Sequence, residues 1–337
     1  MSKTIGTYKP EQRGVFGRYP LSTPHLLKMY LGYLLIVPIR LCLLIPHHLI
    51  CIALITLSLV GSGSSPMGPV RSFFYSWLIF LWQRGHLFLC GYYYIPTKGK
   101  KELPDPAQHP SYVVIGNHVG WMEVGWTFGQ YTPSFVGKSS IRNIPLFGRI
   151  AVANRTIFID RMAAKSSSSA QPSVTDQIVE RLRAGGKVGM FPEGTTSNGT
   201  GICPFKSGAF VAGVPVVPLI FKYPYCSFDP AFCSVSLKWQ MLGTLAQGVN
   251  FMTAEYLPVY YPSEAEKNDP KLYAANVRKV MLDASGLLDN KEVYEDKLKW
   301  EKEVGYLNKE VAAKEKKEEE ARRLNAAGSD IEVTSAV

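Results

Sequence analysis

The chain has 337 residues, enough to bury a sizeable core without covalent or metal staples. Its formal charge of +10 is uneven: residues 291–337 hold 10 basic and 12 acidic side chains, so the remainder carries +12, a balance suited to nucleic acid, an anionic membrane surface or a phosphorylated substrate. No zinc finger or aromatic RNA-binding box supports nucleic acid, and the six cysteines include no C-x-x-C pair and no histidine at ligand spacing, which argues against a metal site or disulfide framework and for a reducing compartment.

Residues 1–25 form a basic N-terminal segment, with Lys3, Lys9, Arg13 and Arg18 set against Glu11. From Leu26 to Val60 the chain is almost continuously apolar, with Lys28 and Arg40 its only charges. This stretch is too long and starts too far in for a cleaved signal peptide. As one straight helix it would reach about 50 Å, against a hydrocarbon core of about 30 Å. Pro38 and Pro46 are the expected places for a bend. Pro46 leaves only about a dozen apolar residues behind it, so a re-entrant or interfacial hairpin is expected here, with a single tilted span as the alternative. Gly61 to Pro66 is a break, and Phe73–Tyr94 mixes aromatics with Arg84 and His86, as a helix at the headgroup level does. Residues 26–95 are thus a membrane-associated helical region.

After Pro104-Asp105-Pro106 the texture becomes α/β. Strands are expected at Tyr112–Ile115, Ser134–Val136, Thr156–Ile159, Val188–Phe191, Pro215–Phe221 and Ser234–Leu237. The clearest helix is Val174–Ala184, with a Ser173-to-Asp176 capping pattern before it and Gly185-Gly186 after it. Ser166–Ser169 is an expected exposed loop. The predicted fold class is α/β: a largely parallel twisted sheet flanked by helices over residues 96–289, preceded by the N-terminal membrane-embedded hairpin or span. Residues 290–337 are charged and weakly apolar, and read as a solvated helix or disordered tail without chemistry.

The residues able to carry chemistry lie at strand ends. Tyr112–Ile115 runs into Gly116-Asn117-His118-Val119-Gly120-Trp121-Met122-Glu123. A five-residue spacing puts two helical side chains about 140° apart, so His118 and Glu123 meet only if His118 sits in the turn before the helix. The carboxylate would then fix the tautomer of His118 and leave its other nitrogen free as a base. A second box, Gly189-Met190-Phe191-Pro192-Glu193-Gly194-Thr195-Thr196-Ser197-Asn198-Gly199, follows another strand. It fits either a loop whose Glu193 binds backbone amides or a pocket for a polyol, and it is no Walker loop. Gly137-Lys138 is a further piece, and Arg161 after Thr156–Asp160 is a natural phosphate ligand that fits a surface ion pair equally well. Val214–Pro218 is a proline-bearing strand, which by itself signals an edge.

In this order and spacing, the pieces resemble the glycerolipid acyltransferases, the family of the lysophosphatidic acid acyltransferases. His118 and Glu123 match its first block, Phe158-Ile159-Asp160-Arg161 the second, Phe191–Thr195 the third and Val214–Pro218 the fourth. The resemblance covers roughly residues 110–285. It implies direct transfer of an acyl chain from acyl-CoA to a lysophospholipid hydroxyl, with acyl-CoA as co-substrate and no other cofactor. His118 would be the base and Glu123 its orienting acid. Asn117, Lys138, Arg161, Glu193, Gly194, Thr195 and, more weakly, Lys206 would hold the glycerophospho portion.

Two departures shift the acceptor. Glu123 stands where an Asp is usual, and Thr196 where enzymes for lysophosphatidic acid often have Arg, so a phosphodiester headgroup is implied. These features, with Ala254–Pro258 and Tyr261–Glu264, resemble the lysophosphatidylethanolamine and lysophosphatidylcholine acyltransferase branch; lysophosphatidic acid remains the alternative acceptor. Asp283–Tyr294 lacks the ligands of a calcium loop. A hydrolase using Ser or Cys203 with His118 is disfavoured because no G-x-S-x-G elbow exists. The family implies the endoplasmic reticulum, with the catalytic domain on the cytosolic face, where Asn154-Arg155-Thr156 and Asn198-Gly199-Thr200 stay unglycosylated.

Overall fold

The structure, a computed structural model, describes residues 14–18, 21–61, 67–138, 142–143, 147–159, 173–225 and 228–303. Helix α1 (Thr23–Ser58) opens with Pro24 in its first turn, where the missing N–H of proline is harmless. Pro38 and Pro46 lie inside it without ending it. The expected hairpin within residues 26–60 is therefore corrected: the chain turns only after α1, and α2 (Pro69–Leu89) packs back along it. Each proline forfeits one hydrogen bond, whereas unwinding an apolar segment would strand several amides without water. Packing reinforces the point. A Cβ on Gly85 of α2 would lie 2.3 Å from the ring of His47, so α2 crosses at the turn where the break was expected.

Leu34, Leu35, Ile39 and Ile50 of α1 each expose more than half their surface. At 36 residues the helix is long and apolar enough to cross a membrane, and such a continuous exposed surface marks contact with lipid. Arg40 is buried on the opposite side of the helix.

Seven strands make the main sheet: β1 (Thr97–Lys98), β2 (Tyr112–Gly116), β3 (Ser134–Lys138), β4 (Ile157–Ile159), β5 (Lys187–Met190), β7 (Val216–Lys222) and β8 (Thr253–Tyr256). Their order is β1-β8-β7-β2-β5-β3-β4. The five from β7 to β4 are parallel, β8 runs antiparallel to β7, and β1 follows β8. A second, two-stranded ladder joins β6 (Gly201–Ile202) to β9 (Leu288–Asp289).

Helices cover both faces. Alternation along β2 sends Val113 and Ile115 toward α5 (Val174–Arg183) and α8 (Pro270–Ser285), and Val114 toward α1, α3 (Met122–Tyr131) and α6 (Leu237–Ala246). In β7, Val216 and Ile220 join the first group, and Val217, Leu219 and Phe221 the second. The remaining helices are α4 (Phe147–Ala153), α7 (Glu264–Asn268) and α9 (Tyr294–Glu303). Where α1 crosses α6, a Cβ on Gly32 would fall 2.0 Å from the carbonyl oxygen of Ala246, so only glycine permits that approach.

Three further expectations are corrected. Ser234–Leu237 is not a strand: Ser236 caps α6 by accepting the N–H of Trp239 at 3.2 Å, and Ser234 has φ 50°. The proline-bearing strand is not an edge. β7 lies between β2 and β8, and Pro218 is tolerated because it falls just beyond the end of the ladder with β8, where its carbonyl accepts the N–H of Leu257. The segment after residue 290 is not all solvated tail, because α9 buries Lys297 and Glu301. The expected helix at Val174–Ala184 and its cap are observed, with Ser173 and Asp176 bonding each other's backbone N–H. The Ser166–Ser169 loop, the segment 1–13 and residues 304–337 lie outside the described residues.

Candidate active site

β2 and β5 are neighbouring parallel strands, so the loops leaving their C-terminal ends emerge side by side. This is where a parallel sheet presents ligand-binding loops. The loop after β2 carries His118, and α3 begins only at Met122, so His118 lies in the preceding turn as the spacing requires. Its Nδ1 is 3.0 Å from Oε1 of Glu123. An ionised carboxylate can only accept, so Nδ1 carries the proton and Nε2 keeps its lone pair. The ring stacks on Phe191, centroids 4.4 Å apart, and its side chain remains 22% exposed.

Glu123 is fully buried and multiply held. Its Oε1 also accepts the N–H groups of Val119 at 2.7 Å and Gly120 at 2.6 Å, while Oε2 accepts the hydroxyl of Tyr223. Burial alone would raise its pKa. The hydrogen bond and charge of His118, with those from Tyr223 and Gly120, outweigh burial and leave the pKa below the ordinary value. The longer acid noted in the sequence thus reaches the ring and a backbone turn together. It also occupies two of the backbone amides nearest His118, which are therefore unavailable to an oxyanion.

The Phe-Pro-Glu-Gly-Thr loop grips the same turn. Glu193 accepts the N–H of His118 on Oε1 at 2.7 Å and that of Cys203 on Oε2 at 2.8 Å. Ser197 N–H in turn donates to the carbonyl of His118 at 2.8 Å. Burial pushes the Glu193 carboxyl up to about 7, opposed by the two amides and His118. Gly194, at φ 68°, makes the turn that lets the loop double back.

Two expected substrate ligands are corrected by this geometry. Both oxygens of Glu193 bind backbone amides and only 2% of the residue is exposed, so it builds the loop rather than facing a ligand. Asn117 is 1% exposed and bonds both backbone groups of Phe221, donating to the carbonyl at 2.9 Å and accepting the N–H at 2.8 Å. It staples β2 to β7. The others fall as follows. Thr195 is buried in the loop beside Gly194, and Lys206 lies against Gly194. Lys138 ends β3, in register with Ile159 of β4, two strands from β2. Arg161 and Asp160 lie outside the described residues.

Tyr223, unnoticed in the sequence, follows β7 directly. Since β7 runs parallel to β2, whatever follows it emerges at the same edge, and that topology was the available signal. Cys203 is no nucleophile: its thiol is buried and its pKa raised by burial and Glu193. The side-chain amides of Asn154 and Asn198 bond backbone carbonyls, those of Pro133 and of Gly14 and Gly17. No cluster of His, Cys, Asp and Glu among the described residues suits a metal.

Residues 95–222 match the family model described as Acyltransferase. Lysophospholipid acyltransferase LPEAT1 of Arabidopsis thaliana is 38% identical over 200 residues, covering 58% of this chain and 49% of that one. A lysophosphatidylcholine acyltransferase of Drosophila melanogaster is 31% identical over 288 residues, 80% of this chain and 51% of the other. The chain spans about half the length, or less, of the curated relatives it matches. Among solved structures, the 1-acyl-sn-glycerophosphate acyltransferase PlsC from Thermotoga maritima shares the fold, with TM-score 0.51 at 17% identity over 80% of this chain and 98% of that one.

Proposed function

With residues 95–222 belonging to the acyltransferase family, we propose that this chain transfers a fatty acyl group from acyl-CoA to the free hydroxyl, at sn-2, of a lysophospholipid such as lysophosphatidylethanolamine or lysophosphatidylcholine. The observation that carries the reading is the His118–Glu123 pair, with Nδ1 engaged at 3.0 Å and the His118 side chain 22% exposed.

Neutral His118 takes the hydroxyl proton on Nε2 as the oxygen attacks the thioester carbonyl. Glu123 keeps the tautomer and stabilises the imidazolium. The tetrahedral species collapses, the C–S bond breaks, and the proton passes from Nε2 to the departing thiolate. No acyl-enzyme forms, consistent with the buried thiol of Cys203. Gly194, Thr195 and Lys206 border the acceptor, with Lys138 and Arg161 as phosphate contacts. Acyl-CoA serves as co-substrate and no further cofactor takes part. The relatives named for lysophospholipid and lysophosphatidylcholine acylation support the acceptor class. The catalytic domain belongs on the cytosolic face of the endoplasmic reticulum, where acyl-CoA is available.

The test is purified protein with one labelled acyl-CoA and a panel of lysophospholipids that includes lysophosphatidic acid. Transfer to lysophosphatidylethanolamine or lysophosphatidylcholine is expected. Transfer to lysophosphatidic acid alone would move the acceptor, and release of free fatty acid without transfer would replace the reading by a hydrolase.

A further inference from the structure

The loop after β5 is held from outside the matched family segment. Lys297 of α9 is 8% exposed, and its ammonium donates to the carbonyl of Thr196 at 3.1 Å and to its hydroxyl at 2.8 Å. The Thr196 hydroxyl in turn donates to Phe232 O at 2.5 Å. No carboxylate lies within ion-pair distance of Lys297 among the described residues, although α9 has acidic side chains to spare. A buried ammonium is retained at a cost in solvation, and here two of its three donors go to one residue of the loop.

The rest of α9 is built to deliver that contact. Tyr294 lies under the ammonium of Lys206, 5.9 Å from ring centroid to nitrogen, and Trp300 packs on the cluster of Val15, Phe16 and Cys203. Ahead of α9, Arg278 of α8 bonds the carbonyls of Ile202, Cys203 and Asn290 and ties β6 to the chain entering the helix.

We propose that Lys297 is a positioning residue that sets the pose of Thr195–Ser197 for the acceptor lysophospholipid, so that the functional unit extends through α9. This rests on the acyltransferase reading above. Ser197 N–H also meets the carbonyl of His118, but Glu123 and Glu193 hold the ring and its N–H without Lys297, so the chemical step does not rest on Lys297. The acceptor side of the loop does.

The test compares full-length wild type with Lys297→Met, Lys297→Arg and Thr196→Val in detergent or nanodiscs. Lys297→Met is expected to raise KM for the lysophospholipid roughly tenfold, the size of one lost charged hydrogen bond. Its kcat and KM for acyl-CoA should stay within about twofold. Lys297→Arg, which keeps charge and donors, should recover most of the loss. Thr196→Val cuts the same bond from the loop side and carries the same expectation if Lys297→Met proves unstable, and the double variant should be no worse than the poorer single.

Amide exchange gives a second readout independent of turnover. Peptides covering 194–199 should exchange faster in Lys297→Met, and those covering 116–123 should not. An unchanged acceptor KM, or equal losses in kcat and both KM values, would overturn the proposal, as would unchanged exchange in 194–199. Absence of any wild-type transfer would instead sink the acyltransferase reading and leave the exchange measurement to decide on Lys297.

Discussion

Oε1 of Glu123 lies 3.0 Å from Nδ1 of His118 and simultaneously accepts the N–H groups of Val119 and Gly120, so one oxygen fixes both the ring and the turn that carries it. Removing the ring therefore leaves Glu123 with its amides and Tyr223, and the fold should stand. His118→Ala is expected to bring transfer to background, a loss of at least 10²–10⁴-fold for a general base, with membrane-extracted yield and melting temperature near wild type. Residual transfer at wild-type rates would exclude His118 as the base.

Glu123→Gln tests the ionised form. With its pKa below the ordinary value of 4.5, Glu123 binds fewer protons in the native than in the unfolded chain between those two values. Its contribution is present above about 4.5 and is lost as pH falls through the native pKa. At neutral pH the variant should melt below wild type, and the gap should close progressively below about pH 4.5. A gap that stays constant through the acid range would show that the ionised carboxylate is not what stabilises the turn.

Much of the site was legible because strand ends are punctuated. β-branched runs stop at Gly116-Asn117 and at Met190-Phe191, and a parallel sheet places such ends together. What stayed hidden was the division of labour inside each motif. Asn117 and Glu193 are polar residues in functional-looking loops, yet the orphan amides and carbonyls of their own backbone claim them, and hydrogen-bond demand of that kind depends on tertiary neighbours such as Phe221 and Cys203. The charged C-terminal helix was misread for a related reason. Its buried face is formed by Lys297 and Glu301, so hydrophobic periodicity carries no trace of it. Likewise α1 survives two prolines because the surroundings offer its backbone nothing better.

Asn117→Ala separates stapling from substrate binding. The change leaves the N–H and carbonyl of Phe221 buried without partners, a loss of roughly 1–3 kcal/mol. Melting temperature should fall while KM for the lysophospholipid in the surviving folded fraction stays within about twofold. A large rise in KM at unchanged stability would restore Asn117 as a ligand.

Glu193→Gln places an NH2 group against one of two backbone N–H donors, since both carboxylate oxygens accept from amides. One donor must lose its partner, which costs about 1–3 kcal/mol. The loss should appear in thermal unfolding and in turnover together, because the N–H of His118 is one of the two donors. A normal melting temperature with reduced acceptor affinity would instead indicate direct substrate contact.

Arg40 joins α1 to the domain built on the main sheet. Its guanidinium donates to the carbonyls of Leu245, Gln247 and Gly248 at the C-terminus of α6 and to the hydroxyl of Tyr93. A cation at that position also meets the negative end of the α6 dipole. Arg40→Leu should have opposite effects on the two partners. It makes α1 more apolar, so retention in membranes after alkaline extraction should be undiminished. It leaves the α6 carbonyls short of donors, so the catalytic domain should lose roughly 2–3 kcal/mol of stability, the worth of hydrogen bonds to a charged group. Protease sites around residues 247–251 should open as the α6 end frays. Arg40→Lys, which keeps the charge but cannot fork to several carbonyls, should fall between the two. An unchanged melting temperature in Arg40→Leu would mean that α1 is held by the Gly32–Ala246 crossing alone.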